Sequence, residues 1–423
     1  MRKNITDTLG FDMKIIKSSQ KAVLRSLVDR TQATDPDITK SVTPIIDDVR
    51  RRGDLAVRKY ARAFDDLNKP IEITSREIRQ GEKNTPPAIR AAIKKAARHI
   101  RRISAKQIPK PSRTSIVPGV VIEQRVTPLD RIGCYVPGGR FPLPSSLLMT
   151  AIPAKVAGVK EIIAACPRPE PAVLAAAAEV GISRFFRIGG AHAIAAFAYG
   201  TSTIPKVDKI VGPGNVYVSA AKALVSSDCP IDFLAGPTEI VVVSKNGNPD
   251  WIASDLIAQA EHDPDARPIL LTPNLLLART VAKAVSLQLV EHPAAKPAID
   301  NHGVAIVTTT LKEAISLANL IAPEHVVTDT VAIANRITKA GTVFVGPFSA
   351  QAAGDYATGS NHVLPTSGTA SVRGGLSAAD FVRVSSVQHL TQNGLRRLAP
   401  SVISLANAEG LRAHAASVAM RVL

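Results

Sequence analysis

From Arg131 onward the chain alternates short apolar runs with amphipathic or alanine-rich segments, and few architectures accept that rhythm. A brief apolar run reads as a buried strand, and a longer segment at helical spacing reads as the crossover that returns the chain to the next parallel strand. Repeated, the unit builds a parallel sheet covered by helices on both faces. The pattern predicts strands at 132–136, 161–166, 184–188, 209–211, 240–244, 269–272, 304–308 and 341–345, with helices between them at 145–157, 171–180 and 191–199 among others. Before Arg131 the reading is helical: one helix over 37–64 and another that starts at Thr85 as cap with Pro86 in its first turn. After Ala379 it is largely helical again.

Glycines punctuate this rhythm where chemistry is expected. YVPGG (135–139), IGGAHA (188–193) and VGPGN (211–215) each follow a strand and open a helix, the position at which open α/β sheets hold ligands. A glycine there admits close approach of the backbone, and the helix N-terminus behind it favours an anion such as pyrophosphate. None is a GxGxxG, and any one of them alone reads as a tight turn.

Composition excludes several classes. With 45% hydrophobic and 21% charged residues in 423, the chain has material for two or three compact units. No apolar run reaches the roughly 20 residues that span a bilayer, and the N-terminus lacks the features of a secretory signal, so a cytoplasmic protein without membrane contact is expected. Cys134, Cys166 and Cys229 are too scattered for a disulfide framework or a CxxC site and read as buried thiols. The formal charge of +17, carried in part by Arg50, Arg51, Arg52 and a basic helix over 86–106, raises nucleic acid as a partner. Aromatic residues at 4% offer too few stacking platforms, so no nucleic acid is expected.

The segment LIAQAEHDPDAR (256–267) puts Gln259 and His262 three apart at a helix end, where they share a face. Taken singly, His262 could serve the helix dipole, Asp355 after Gly354 could cap a turn, and Glu324-His325 could be a solvated pair at a helix exit. His362 and His414 also stand in polar company, seven residues after Asp355 and five after Glu409. Together, an amide oxygen, a carboxylate and imidazoles make a ligand set suited to Zn²⁺ or a similar ion, and the lack of thiolates favours a site open to substrate. A Glu beside a His near such an ion could supply a base for hydroxyl oxidation or for attack by water.

Eight blocks in order, among them GCYVPGGRFPLPSSLLMTAIPAKVAGVKEI, VDKIVGPGNVYVSAAK, DLIAQAEHDPDA, APEHV, GDYATGSNHVLPTSGTA and AEGLRAH, closely resemble histidinol dehydrogenases. The resemblance runs from about Arg125 to His414. It implies one Zn²⁺ per subunit held by Gln259, His262, Asp355 and His414, and an acid–base pair of Glu324 and His325. It implies substrate contacts from Thr238, His362 and Glu409 as well as from His325 and the metal ligands, and NAD⁺ contacts from Tyr135, His192 and Asn215. The implied reaction takes L-histidinol to L-histidine through the aldehyde with two NAD⁺, as a step of histidine biosynthesis. The implied assembly is a homodimer in which Glu409 and His414 complete the partner's site. His192 stands where such enzymes usually carry Gln, Thr238 where Ser is usual, and Asp263 where Gly is frequent. Oxidation of another small alcohol on the same scaffold, and zinc-dependent hydrolysis, are the rival readings.

The fold expected is α/β, with two doubly wound, incomplete Rossmann-like parallel-sheet domains and small helical N- and C-terminal extensions. Residues 1–27 form an arm, 28–130 and 238–375 the domain with the metal and acid–base residues, 131–237 the NAD side, and 376–423 a helical dimerisation arm.

Overall fold

Runs of β-branched and aliphatic residues too short for helices settle into two sheets, seen in a computed structural model that describes residues 13–28, 36–138, 142–234 and 236–422. Gly139 of the first glycine turn and the first 12 residues of the expected N-terminal arm lie outside the described residues.

One sheet has six parallel strands in the order Lys14–Lys17, Val304–Val307, Arg267–Thr272, Glu239–Val243, His325–Thr328 and Thr342–Val345. The other has five, in the order Glu72–Ile73, Arg184–Phe186, Glu161–Ala165, Arg131–Tyr135 and Lys209–Val211, all parallel except the two-residue edge strand. Successive strand residues face opposite sides. Ile162 and Ala164 therefore enter the core on one face of the five-stranded sheet, and Ile163 and Ala165 the core on the other. Both sheets are buried on two faces, which is why their strands read as continuous apolar runs. Phe197 of the helix Gly190–Tyr199 is fully buried and packs where Gly133 leaves its strand bare of a side chain. Phe197→Ala should lower unfolding free energy by about 3–5 kcal/mol in urea titration, because the bare glycine cannot refill the cavity.

The expected division of the chain differs from the packing observed. Helices Pro36–Arg52 and Asp54–Phe64, and helix Pro87–Gln107, contribute Val42, Ile46, Val57 and Ile93, Ala97, Ile100 to the two cores of the five-stranded sheet. Helix Pro87–Gln107 also meets the segment 238–375, His99 Nδ1 lying 2.6 Å from the Ala357 carbonyl; the apolar faces of helices identify no partner sheet until the chain is folded. Lys14–Lys17 is likewise an edge strand of the six-stranded sheet rather than only an arm. The helix expected over 37–64 is broken at Gly53, whose φ of 52° lies outside the helical region. Thr85 ends the helix Ser75–Asn84, its hydroxyl donating to the Gly81 carbonyl, and does not cap the next one.

The C-terminal arm is not all helix. Val382–Leu390 forms an antiparallel three-stranded sheet with Val120–Pro128 and Ser112–Val117, followed by helices Gln392–Ala408 and Arg412–Val422 packed on each other. Its alternation of valine with polar residues suits a strand largely open to solvent. Among the described residues no helix is long and apolar enough to cross a membrane.

Candidate active site

The two sheets present opposite ends to a common cleft. In the five-stranded sheet the chain leaves Arg131–Tyr135 for the strands on one side and returns to Lys209–Val211 on the other. This is a topological switch point, and the loops after both strands open there. From the six-stranded sheet the contribution comes from the opposite, N-terminal edge: Thr238 precedes Glu239–Val243, and Glu324 precedes His325–Thr328. Gln259 is in the last turn of helix Pro249–Ala260, which runs back to that edge.

A cavity of about 670 Å³ lies between them, lined by Thr238, Gln259, His262, Glu324, His325, Asp355 and His362 from one side and by Gly212, Pro213 and Asn215 from the other. A second, of about 640 Å³, is lined by Tyr135, Phe64, Asp65, Gly190 and Tyr217. Pro137 and Asn215 line both, so the two cavities adjoin at the switch point.

Each expected polar residue has a definite setting. Thr238 Oγ1 donates to Glu324 Oε2 at 2.5 Å, and that oxygen also accepts from Glu239 N at 3.1 Å. Because the hydroxyl hydrogen is committed to Glu324, Thr238 can only accept from Gln259, whose Nε2 donates to it. The amide is thereby oriented, and Gln259 Oε1 is buried with no hydrogen-bond partner among the described residues. His262 lies just past the helix end, its Nε2 4.0 Å from Asp355 Oδ2. Asp355 belongs to a one-turn helix, Gln351–Tyr356, and accepts from Gln351 Nε2 at 2.7 Å.

Glu324 and His325 are buried, not solvated as a helix-exit reading supposed. Ala322, with φ of 46°, ends the preceding helix, and Pro323 blocks its continuation, so His325 starts a strand beside Glu239–Val243. Burial pushes the Glu324 carboxyl up to about 8, against the lowering effect of its two hydrogen bonds. Burial also lowers His325, which holds the ring neutral. His325 Nδ1 is 3.2 Å from the Glu239 carbonyl, which can only accept, so Nδ1 carries the hydrogen and Nε2, 3.8 Å from Asp355 Oδ1, is left basic. His362 repeats the device: Nδ1 donates to the Asp355 carbonyl at 2.9 Å, and burial pushes the ring down to about 4. Asp355 is itself raised by burial, against the attraction of His325 and His262.

Other expected residues fall elsewhere. Tyr135 and Asn215 stand at the second cavity, Asn215 capping helix Val216–Val225 through its Oδ1. His192 stands behind that cavity's wall, 1% exposed, with Nε2 2.9 Å from Asp65 Oδ2 and Nδ1 without a partner among the described residues. Glu409, in the turn between the two C-terminal helices, and His414, in the second of them, are exposed and do not line the cleft of their own chain. Among the described residues no three His, Cys, Asp or Glu side chains are grouped to hold a metal ion. The three cysteines are buried, and burial pushes Cys134 and Cys166 up to about 12 and Cys229 to about 11, so none is a thiolate at neutral pH.

Sequence reasoning did not single out Gln351, Asp65, Lys222 or Asp232. A signal existed only for Gln351, four residues before Asp355 and so on its helix face.

The sequence model of the family described as histidinol dehydrogenase matches residues 28–422. A histidinol dehydrogenase of Geobacter sulfurreducens is 42% identical over 416 residues, covering 95% of this chain and 97% of its own. One from Brucella suis is 45% identical over 400 residues, covering 91% and 93%. A crystal structure of histidinol dehydrogenase from Elizabethkingia anophelis superposes with a TM-score of 0.92 at 34% identity, over 97% of this chain and 98% of that one. On these grounds the chain is an α/β oxidoreductase that belongs to the histidinol dehydrogenase family.

Proposed function

We propose that the protein oxidises L-histidinol to L-histidine in two successive steps through the aldehyde, reducing one NAD⁺ in each, at a site with one zinc ion per subunit. The observation that carries the reading is the chain from Glu324 through Thr238 to Gln259, which leaves the amide oxygen buried and unpartnered beside His262 and Asp355. A buried acceptor without a donor costs stability unless something occupies it, and a hard or borderline cation fits an oxygen, imidazole and carboxylate set. Gln259, His262 and Asp355 would hold the zinc, with His414 of the partner subunit as fourth donor; bound there, zinc supplies a Lewis-acidic anchor for the nitrogen groups of the substrate.

The chain's own residues do the rest. His325, neutral with Nε2 free, takes the hydroxyl proton as hydride leaves the carbinol carbon for the nicotinamide. Glu324 takes a proton from water as its oxygen adds to the aldehyde carbon, while the carbonyl oxygen takes back the proton held by His325, giving the gem-diol; loss of a second hydride to NAD⁺ and of two protons then gives the carboxylate. The cleft holds the aldehyde between the steps. Its adjoining cavity at the switch point, edged by helix N-termini, suits a dinucleotide. The exposure of Glu409 and His414 fits delivery of both to a second subunit.

Purified protein given limiting L-histidinol should form two NADH per substrate, with turnover falling as zinc leaves under a chelator and returning on its addition. One NADH, or activity independent of metal content, would refute the scheme. Glu324 must be ionised to act as base and burial holds it protonated below about 8, so hydration-limited oxidation of the aldehyde should rise as pH passes through about 8. A pH–rate profile with L-histidinal as substrate checks this.

A further inference from the structure

Lys222 and Asp232 form an ion pair at the floor of the cleft, 3% and 4% exposed. Burying two charges rarely gains stability, since an apolar pair of similar volume serves the fold as well. Their hydrogen bonds indicate another use. Lys222 Nζ donates to the Gly212 carbonyl at 3.0 Å, and Asp232 Oδ2 accepts from Gly212 N at 2.8 Å. The pair thus grips both polar groups of one peptide residue, which no apolar replacement could do.

Gly212 is the residue on which the switch-point turn depends. Its φ of 120° belongs to glycine, and a Cβ there would collide with the Tyr135 carbonyl. Three residues on, Asn215 caps helix Val216–Val225 and lines both cavities. Asp232 is itself anchored: Oδ1 accepts from Phe233 N at 2.7 Å, its carbonyl accepts from Arg373 Nη1, and the Arg373 guanidinium lies 4.6 Å from the centre of the Phe233 ring. The grip on Gly212 is therefore referred to a fixed point.

We propose that Lys222 and Asp232 are a positioning pair that sets nucleotide affinity by holding the 212–215 turn in register with Tyr135. This rests on the reading of the second cavity as the nicotinamide nucleotide site. Neither residue transfers a proton or touches the reacting carbon; they act through the backbone of Gly212.

The test compares Lys222→Met, Asp232→Asn and the double variant Lys222→Met/Asp232→Asn with the wild-type protein. NADH affinity is read by fluorescence titration, zinc content by metal analysis, the L-histidinol KM by kinetics and stability by thermal melting. The double variant leaves no unpaired buried charge, so it should recover much of the melting temperature lost by Lys222→Met, and it remains testable if that single variant does not fold. Its NADH Kd should still be raised about ten-fold or more, with zinc content and histidinol KM changed by less than about three-fold. A double variant that binds NADH as the wild type does would show the pair to be structural only and overturn the proposal. Wild-type protein that binds no NADH would overturn the nucleotide reading and this proposal with it.

Discussion

Glu324→Gln is expected to stall oxidation at the aldehyde, with formation of the second NADH slowed by about 10²–10⁴-fold, the range for loss of a positioned general base. The first hydride transfer should suffer far less, because its proposed base, His325, keeps its Nδ1 bond to the Glu239 carbonyl and its free Nε2. The amide can still accept at the oxygen that receives Thr238 and Glu239 N, so the orientation of Gln259 is retained. Stopped-flow traces should show one NADH per site in a burst and a slow second phase. Equal slowing of both phases would refute the division of labour, and His325→Asn should give the opposite pattern. Stability should move the other way. The folded protein favours protonated Glu324, since burial raises it from the ordinary 4.5 to about 8. Stability tied to that proton is fully present below pH 4.5 and is lost as pH rises through about 8. Glu324→Gln removes this loss, so its melting temperature should exceed the wild type's at pH 9 and match it near pH 4. That is the expected trade between a buried carboxyl proposed for catalysis and the stability of its host.

Mixing two inactive variants should restore activity. His262→Asn removes a proposed metal donor within the cleft, and His414→Asn removes the one proposed to come from the partner; each should lower turnover by on the order of 10²-fold or more, with zinc lost. In a two-fold dimer each hybrid has one site with both substitutions and one with neither. Half of the dimers formed by random exchange are hybrids, so an equimolar mixture should reach about a quarter of the wild-type rate and zinc content. A mixture as inactive as its components would mean that His414 serves its own chain or no site at all.

The strands at 132–136, 161–166 and 240–244 were legible because unbroken apolar runs between glycine turns suit strands covered on both faces. His325–Thr328 was not, since four residues directly after a proline carry too little pattern, and its order depends on pairing with both neighbours. Val382–Leu390 was missed for a different reason: exposed alternation is weak beside the helical segments that follow it. Lys222 reads as one more lysine in an alanine-rich helix, because nothing local reveals which face of that helix turns inward. The same holds for Asp65, remote in sequence from the His192 that it contacts.

By itself the sequence determined the α/β class and the positions of the glycine turns, because these depend on residue type and short-range spacing. It offered Gln259, His262, Glu324, His325 and Asp355 as polar candidates but not Lys222 or Asp232, which also line the cleft. Only the tertiary structure decided which sheet the N-terminal helices cover and that one sheet meets the cleft by its C-terminal edge and the other by its N-terminal edge. It alone decided which atoms of Thr238, Gln259, Glu324 and His325 face one another. Those outcomes arise from packing between segments far apart in the chain, where burial and hydrogen-bond direction are properties of the assembled interior and of no single stretch.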